Sequence, residues 1–388
     1  MTDTTQADVL VPSLAPAAKP VRAPAQGYLF GPLFDFFTLG GGSVVICGLL
    51  ALAFPKGMPG PEEAVLITVL MMAINQPHFA NSYQMFYRNF REKAFGSYPA
   101  ALRIRYIVAG LVVPAALIAF LAGTAIAGKP RLLAYGANLM FFLVGWHYVK
   151  QGYGILIVDS VQKRLTFSTS EKWIFRANGY ACWLAAWAAA NHAVAKNDYL
   201  GLAWFSLPLP VALYDASIGA AVLTTLAAGY ALVQRWSEAK GSLPWNGVIA
   251  YLTTLYLWVI FVRINPVVIA VVPTFHSLQY LAVVWRYQLN AGSKAAPARP
   301  SLLSAFLPSG VLPSLAAFIG IGTFLGFLGF MGIPRLLDAA VPYDKHLFGP
   351  ALFMFSCYIF INVHHYFLDN VIWRRGNPDV QQHIFSRG

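Results

Sequence analysis

The chain has 388 residues, of which 58% are hydrophobic and 11% charged, and its formal net charge is +12. A soluble domain carries roughly 25% charged residues and cannot hide so large an apolar fraction in one core, so a water-soluble globule is excluded and lipid is the expected solvent. The positive charge then reads as the basic excess of inner-side membrane loops rather than as a nucleic-acid surface.

Residues 1–27 are rich in Ala, Pro and Thr and contain no apolar core segment, so they read as a disordered cytoplasmic tail and not as a cleaved signal peptide. The stretch from Tyr28 to Phe37 is expected at the membrane surface, leading into the first span. A span needs about 20 apolar residues. Such runs occur over 38–55, 64–86, 106–127, 133–157, 173–195, 215–234, 246–263, 266–285, 311–332 and 348–373. The seventh and eighth meet at a break, Asn265-Pro266, and residues 376–388 form a second cytoplasmic tail.

With the N-terminus inside, nineteen Lys and Arg side chains fall on inner segments and seven on outer ones, and Lys150 lies within the fourth span. That asymmetry favours an all-α, polytopic transmembrane helical bundle of about ten spans over residues 28–375, with both termini cytoplasmic. A bacterial inner membrane is the expected location. Arg374 and Arg375 are placed as headgroup anchors of the last span, and Asp159 and Arg286 as markers of the inner boundary. Cys47, Cys182 and Cys357 are widely separated within apolar runs and form no disulfide or zinc-finger spacing.

Eight histidines occur, and His192, His346 and His383 fall at a span end, a loop and a tail, where solvent accounts for them. The others sit inside spans. His78, His276 and His364 each precede an arginine by ten residues (Arg88, Arg286 and Arg374), with His365 beside the last of them; His147 precedes Asp159 by twelve. At 1.5 Å per residue, ten residues place an imidazole about 15 Å from the inner boundary. Four spans running in the same direction therefore present histidine at one depth near mid-membrane. Ionisable groups there are costly and usually face the bundle interior. One such histidine is explained by packing, whereas four at one level point to a shared metal or cofactor.

One turn from each candidate stands a hydrogen-bonding side chain: Ser82 after His78, Gln151 after His147, Tyr280 after His276 and Asp369 after His365. Metal-bound histidine commonly donates its second N–H to such a group. Pro77 and Pro273 can kink their helices and open room for a ligand. Lys150, three residues after His147, has three open readings: a snorkelling lysine, an anion site, or a partner of Asp369. Lys150, Tyr280 and Asp369 are the candidate catalytic residues. Either His364 or His365 completes the ligand set, His364 by depth and His365 by its carboxylate neighbour.

Imidazoles with few carboxylates suit iron, copper or zinc. A hydrolytic HExxH motif is absent, as are the clustered histidine boxes of desaturases. A haem held by two histidines on facing helices, serving electron transfer or sensing, is an alternative. A transporter with a polar mid-membrane pathway is another.

The order of Pro77-His78, His147, His276-Ser277 and His364 followed five residues later by Asp369 resembles the Brp/Blh family of membrane β-carotene dioxygenases. Ser82 stands where that family has an acid, and Tyr280 where it has a second histidine. The resemblance implies non-haem iron and cleavage of a lipophilic polyene by dioxygen. The function expected from the sequence is thus an intramembrane, histidine-ligated iron oxygenase or oxidoreductase. Its partners would be a lipophilic small molecule, dioxygen and membrane lipid.

Overall fold

The structure is a computed structural model describing residues 27–55, 60–193, 196–199, 202–260, 266–293, 311–374 and 376–385. The tail over 1–26, Asn265 of the expected break and Arg375 lie outside the described residues.

Each of the ten apolar runs coincides with helix, continuous or interrupted. Helices α1 (Pro32–Leu39) and α2 (Gly41–Ala53) are bent by 56° at Gly40. A Cβ at Gly40 would stand 2.9 Å from the Cα of Ala250, so glycine permits this close approach. The Asp35 carboxylate folds back to accept the Leu29 and Phe30 N–H groups at 2.6 and 3.0 Å, which fixes the chain entering α1.

Helix α3 (Gly60–Leu70) continues through a π-helical turn, Met71–Asn75, into α4 (Gln76–Tyr87). A short α5 (Phe90–Phe95) precedes α6 (Ala100–Ile107), which passes through Val108–Val112 into α7 (Val113–Ile126). Helices α8 (Pro130–Gln162) and α9 (Thr169–Ala193) follow. A two-stranded hairpin of β1 (Lys196–Tyr199) and β2 (Leu202–Phe205) then occupies what the sequence presents as a loop. Next come α10 (Val211–Glu238), α11 (Trp245–Leu252) with its π extension Thr253–Ile260, and α12 (Pro266–Ser293). Helix α13 (Val311–Phe327) runs through Leu328–Gly332 into α14 (Ile333–Ala340). The chain closes with α15 (Lys345–Phe348), α16 (Leu352–Ile372) and α17 (Pro378–Val380).

Among the described residues, four helices are long and apolar enough to cross a membrane: α6–α7, α8, α10 and α13–α14, with α1–α2 a fifth if the bent pair counts as one. The side-chain distribution is that of a protein in lipid. Leu223, Phe324 and Ile126 are 69%, 63% and 87% exposed, whereas Asn81, Ser277 and His365 are fully enclosed. Apolar groups outside and polar groups inside is the arrangement lipid selects.

Helix α4 packs on α12, α13 and α16, and α16 packs on α8, so the four histidine-bearing helices are neighbours. Small residues permit the α13–α4 contact. A Cβ at Gly326 would lie 2.8 Å from the backbone of Gln76, and one at Gly322 would collide with the Asn81 side chain.

Polar contacts tie helix ends together. Tyr28 lies under Lys163, the Gly247 N–H donates to Asp159, and Arg235 makes a paired contact with Glu171 at 2.6 and 3.1 Å. Polar contacts also join Arg88 to Gln288, and Lys93 and Tyr98 to Asp379.

Candidate metal centre

His78 stands one turn into α4, just past the π turn and Pro77. Its Nδ1–H donates to the Asn75 carbonyl, with the Ser277 hydroxyl 2.8 Å away. Nδ1 therefore carries the proton and Nε2 keeps its lone pair. His365 on α16 repeats the pattern. Ser82 Oγ spends its own proton on the Phe79 carbonyl at 2.6 Å, so it accepts from His365 Nδ1–H at 2.7 Å and leaves Nε2 as a free base. A backbone carbonyl at Asn75 and a serine at Ser82 thus set two imidazoles in the tautomer that binds metal through Nε2.

His147 on α8 and His276 on α12 complete a ring of imidazoles. Centroid separations are 5.5 Å for His78–His276, 4.9 Å for His78–His365, 4.9 Å for His147–His276 and 4.9 Å for His147–His365. The Asp369 carboxylate, one turn after His365, brings Oδ2 to 3.8 Å from His147 Nε2 and 3.6 Å from His365 Nε2. Its other oxygen accepts the Tyr280 hydroxyl at 3.2 Å. Donor atoms of His78, His276 and His365 lie within 4.8 Å of one another, as do those of His147, His365 and Asp369.

Five buried polar atoms without hydrogen-bond partners gather here: Nε2 of His78, His147 and His365, Nδ1 of His276 and Oδ2 of Asp369. Each unpaired buried group costs about 1–3 kcal/mol. A cation shared among them removes the whole penalty at once, and four nitrogens with one carboxylate oxygen form a chemically sensible donor set. The histidine cluster is thus able to hold a metal ion.

No protein-family model, curated protein or solved structure matches the chain. The donors themselves carry the chemistry.

Aromatic rings close the centre. Tyr148 stacks on His276 at 4.1 Å, Tyr366 on His147 at 4.9 Å, and Phe79 meets His365 edge-on at 4.7 Å.

Several placements differ from the sequence reading. His364 has the better depth match but is not in the cluster. It points away, receiving the Tyr83 hydroxyl at Nδ1 (2.9 Å) and donating Nε2–H to the Ala109 carbonyl at 3.0 Å. Adjacent helical residues diverge by about 100°, so only one of the pair can face the centre, and Asp369 lies one turn from His365. Asp369 stands beside His365 as expected, whereas the other three supports expected along one helix act elsewhere. Ser82 serves His365, Tyr280 serves Asp369, and Gln151 donates to the His276 carbonyl and to Gln279 at 3.0 and 2.7 Å rather than to a ring.

Lys150 meets Asn370 and lies 4.2 Å above the Trp146 ring, so it is not the partner of Asp369. Asp159 is a buried acceptor for Lys163 and Gly247 rather than only a boundary marker. Among the solvent-side histidines, His192 is exposed and stacks on Tyr214, and His346 is exposed. Ser277 and Asn75 have roles that the sequence hides. Ser277 follows His276 directly, but its service to His78 exists only after α4 and α12 meet.

Proposed function

We propose that the protein is an intramembrane metalloenzyme in which His78, His147, His276, His365 and Asp369 hold one metal ion, iron, for oxidative chemistry on a lipophilic substrate. The convergence of five unpartnered buried donor atoms carries this reading. When bound, iron supplies dioxygen activation at open coordination positions. The chain's own groups do the rest. The Asn75 carbonyl and Ser82 fix the tautomers, Tyr280 orients Asp369, and the rings of Tyr148, Tyr366 and Phe79 exclude water. A substrate reaching this centre from the bilayer is apolar and carotenoid- or lipid-like, in keeping with the motif resemblance to membrane carotenoid dioxygenases.

Neighbouring imidazoles stand edge-on, at interplanar angles of 72–89°. Donor atoms gathered in two triads that share His365 favour an ion over a haem, which takes two imidazoles on opposite sides of a macrocycle.

The proposal includes the topology: ten spans with both termini cytoplasmic, in a bacterial inner membrane. It is supported by contacts between segments that the charge count assigns to the inner side, such as Glu171 with Arg235 and Lys93 with Asp379.

The test is elemental analysis of detergent-purified protein. About one iron per chain is expected, lost in His78→Ala and His365→Ala and retained in His364→Ala. Metal-free wild-type protein, or equal loss in His364→Ala, would overturn the assignment.

A further inference from the structure

Beyond the ligands, one file of side chains leads from the centre toward an exposed polar contact. Tyr280 is buried, with its hydroxyl on Asp369 and its ring edge-on to His78 at 5.5 Å and to His365 at 5.8 Å. The Trp373 ring, at the end of α16, follows at 5.8 Å, and Tyr287 of α12 lies 6.4 Å further on. Tyr287 meets His383 of the C-terminal segment at 5.0 Å. Tyr287 is itself buried, and one residue past it Gln288 accepts an exposed hydrogen bond from Arg88, so the file ends beside an exposed polar contact.

Tyrosine and tryptophan are the side chains that release an electron most readily, and no phenylalanine interrupts the sequence Tyr280, Trp373, Tyr287. The other oxidisable rings near the centre lead elsewhere: Tyr148 abuts Trp258, within the apolar cluster around Val271 and Val272. Ordinary packing accounts for aromatic contacts. It does not account for a run made only of oxidisable rings that starts on a carboxylate facing the donors and ends beside an exposed polar contact.

We infer that Tyr280, Trp373 and Tyr287 form a one-electron path between the histidine centre and the aqueous face carrying the C-terminal segment. The inference rests on the metal-centre reading above and adds a route by which the centre is re-reduced. Tyr280 gives one electron to the oxidised centre and its phenol proton to Oδ1 of Asp369, along the hydrogen bond already present. Trp373 then returns an electron to Tyr280, which takes its proton back. Tyr287 reduces the Trp373 radical cation, releasing its phenol proton. A water-borne one-electron reductant restores Tyr287, which regains a proton from solvent. The net transfer is one electron from the reductant to the centre, with no net proton change.

Iron-loaded, detergent-purified protein is treated with hydrogen peroxide, freeze-quenched and followed by electron paramagnetic resonance, with iron content measured on the same samples. The wild type should show an organic radical that ascorbate quenches quickly. Trp373→Phe should confine the radical to tyrosine and slow its quenching at least tenfold. Tyr280→Phe should abolish the radical, and Tyr287→Phe should leave one that ascorbate quenches slowly. Iron content should be unchanged in all three. Full iron loading with no organic radical, or with spectra and decay identical in every variant, overturns the path while leaving the metal centre standing. Wild-type protein that binds no iron removes both.

Discussion

At the scale of single residues, the centre depends on which nitrogen of each imidazole carries the proton. The Asn75 carbonyl settles this for His78, and Ser82 settles it for His365, each by accepting from Nδ1–H. Without its acceptor, a ring samples the other tautomer and the free lone pair turns away from its neighbours. Ser82→Ala should therefore weaken metal affinity by about 10–100-fold without unfolding the protein. Equilibrium titration against a competing chelator reads this directly, and an unchanged affinity would show that His365 is positioned by packing alone. The histidines at one depth were legible because helical rise converts sequence spacing into height. The choice between His364 and His365 was not, because depth differs by only about 1.5 Å between them while direction differs by about 100°. Asp369 was the better guide: a carboxylate one turn away marks the face that turns inward.

Among the elements, helix positions follow from apolar runs of span length, and every such run is helical. What the runs conceal is their interruptions. The π turn at Met71–Asn75 ends beside Pro77 and His78, and proline's missing N–H explains why the regular ladder yields there. The hairpin Lys196–Phe205 was equally hidden, because four-residue strands carry too short a pattern to read. Partner choice between helices is also a tertiary property, set by small residues such as Gly322 and Gly326 on α13. Gly326→Leu would drive a side chain into the backbone of α4 and destabilise the fold by about 1–3 kcal/mol, displacing His78 with it. Lower thermal stability in detergent together with reduced metal content is the expected pair of results. Normal values for both would mean that α13 has room to move outward.

For the whole molecule, segments that the charge count assigns to one side touch one another in the structure. Tyr98 and Lys93, which follow α4, hold Asp379 of the C-terminal segment. Lys163, which follows α8, lies over Tyr28 near the start of the described chain. If ten spans alternate as proposed, reporter fusions at Pro130 and at Gly388 should lie on opposite sides of the membrane, the second in the cytoplasm. Reporters found on one side would require a re-entrant or missing span. The four helices that pass a strict test of length and apolarity include only one histidine carrier, α8. The polar side chains that build the centre are the ones that lower the apparent lipid affinity of helices such as α16, with its Asn362, His364, His365 and Asp369.

The donors also carry a timetable. His78, His147 and His276 leave the ribosome long before His365 and Asp369, which follow His276 by 89 and 93 residues. A nascent protein inserted up to α12 holds three imidazoles but neither the fourth nor the carboxylate that sits between two of them. The cluster therefore closes only once α16 has joined α4, α8 and α12, and a chain that stops short of α16, however well inserted, would leave three imidazoles without the carboxylate between them.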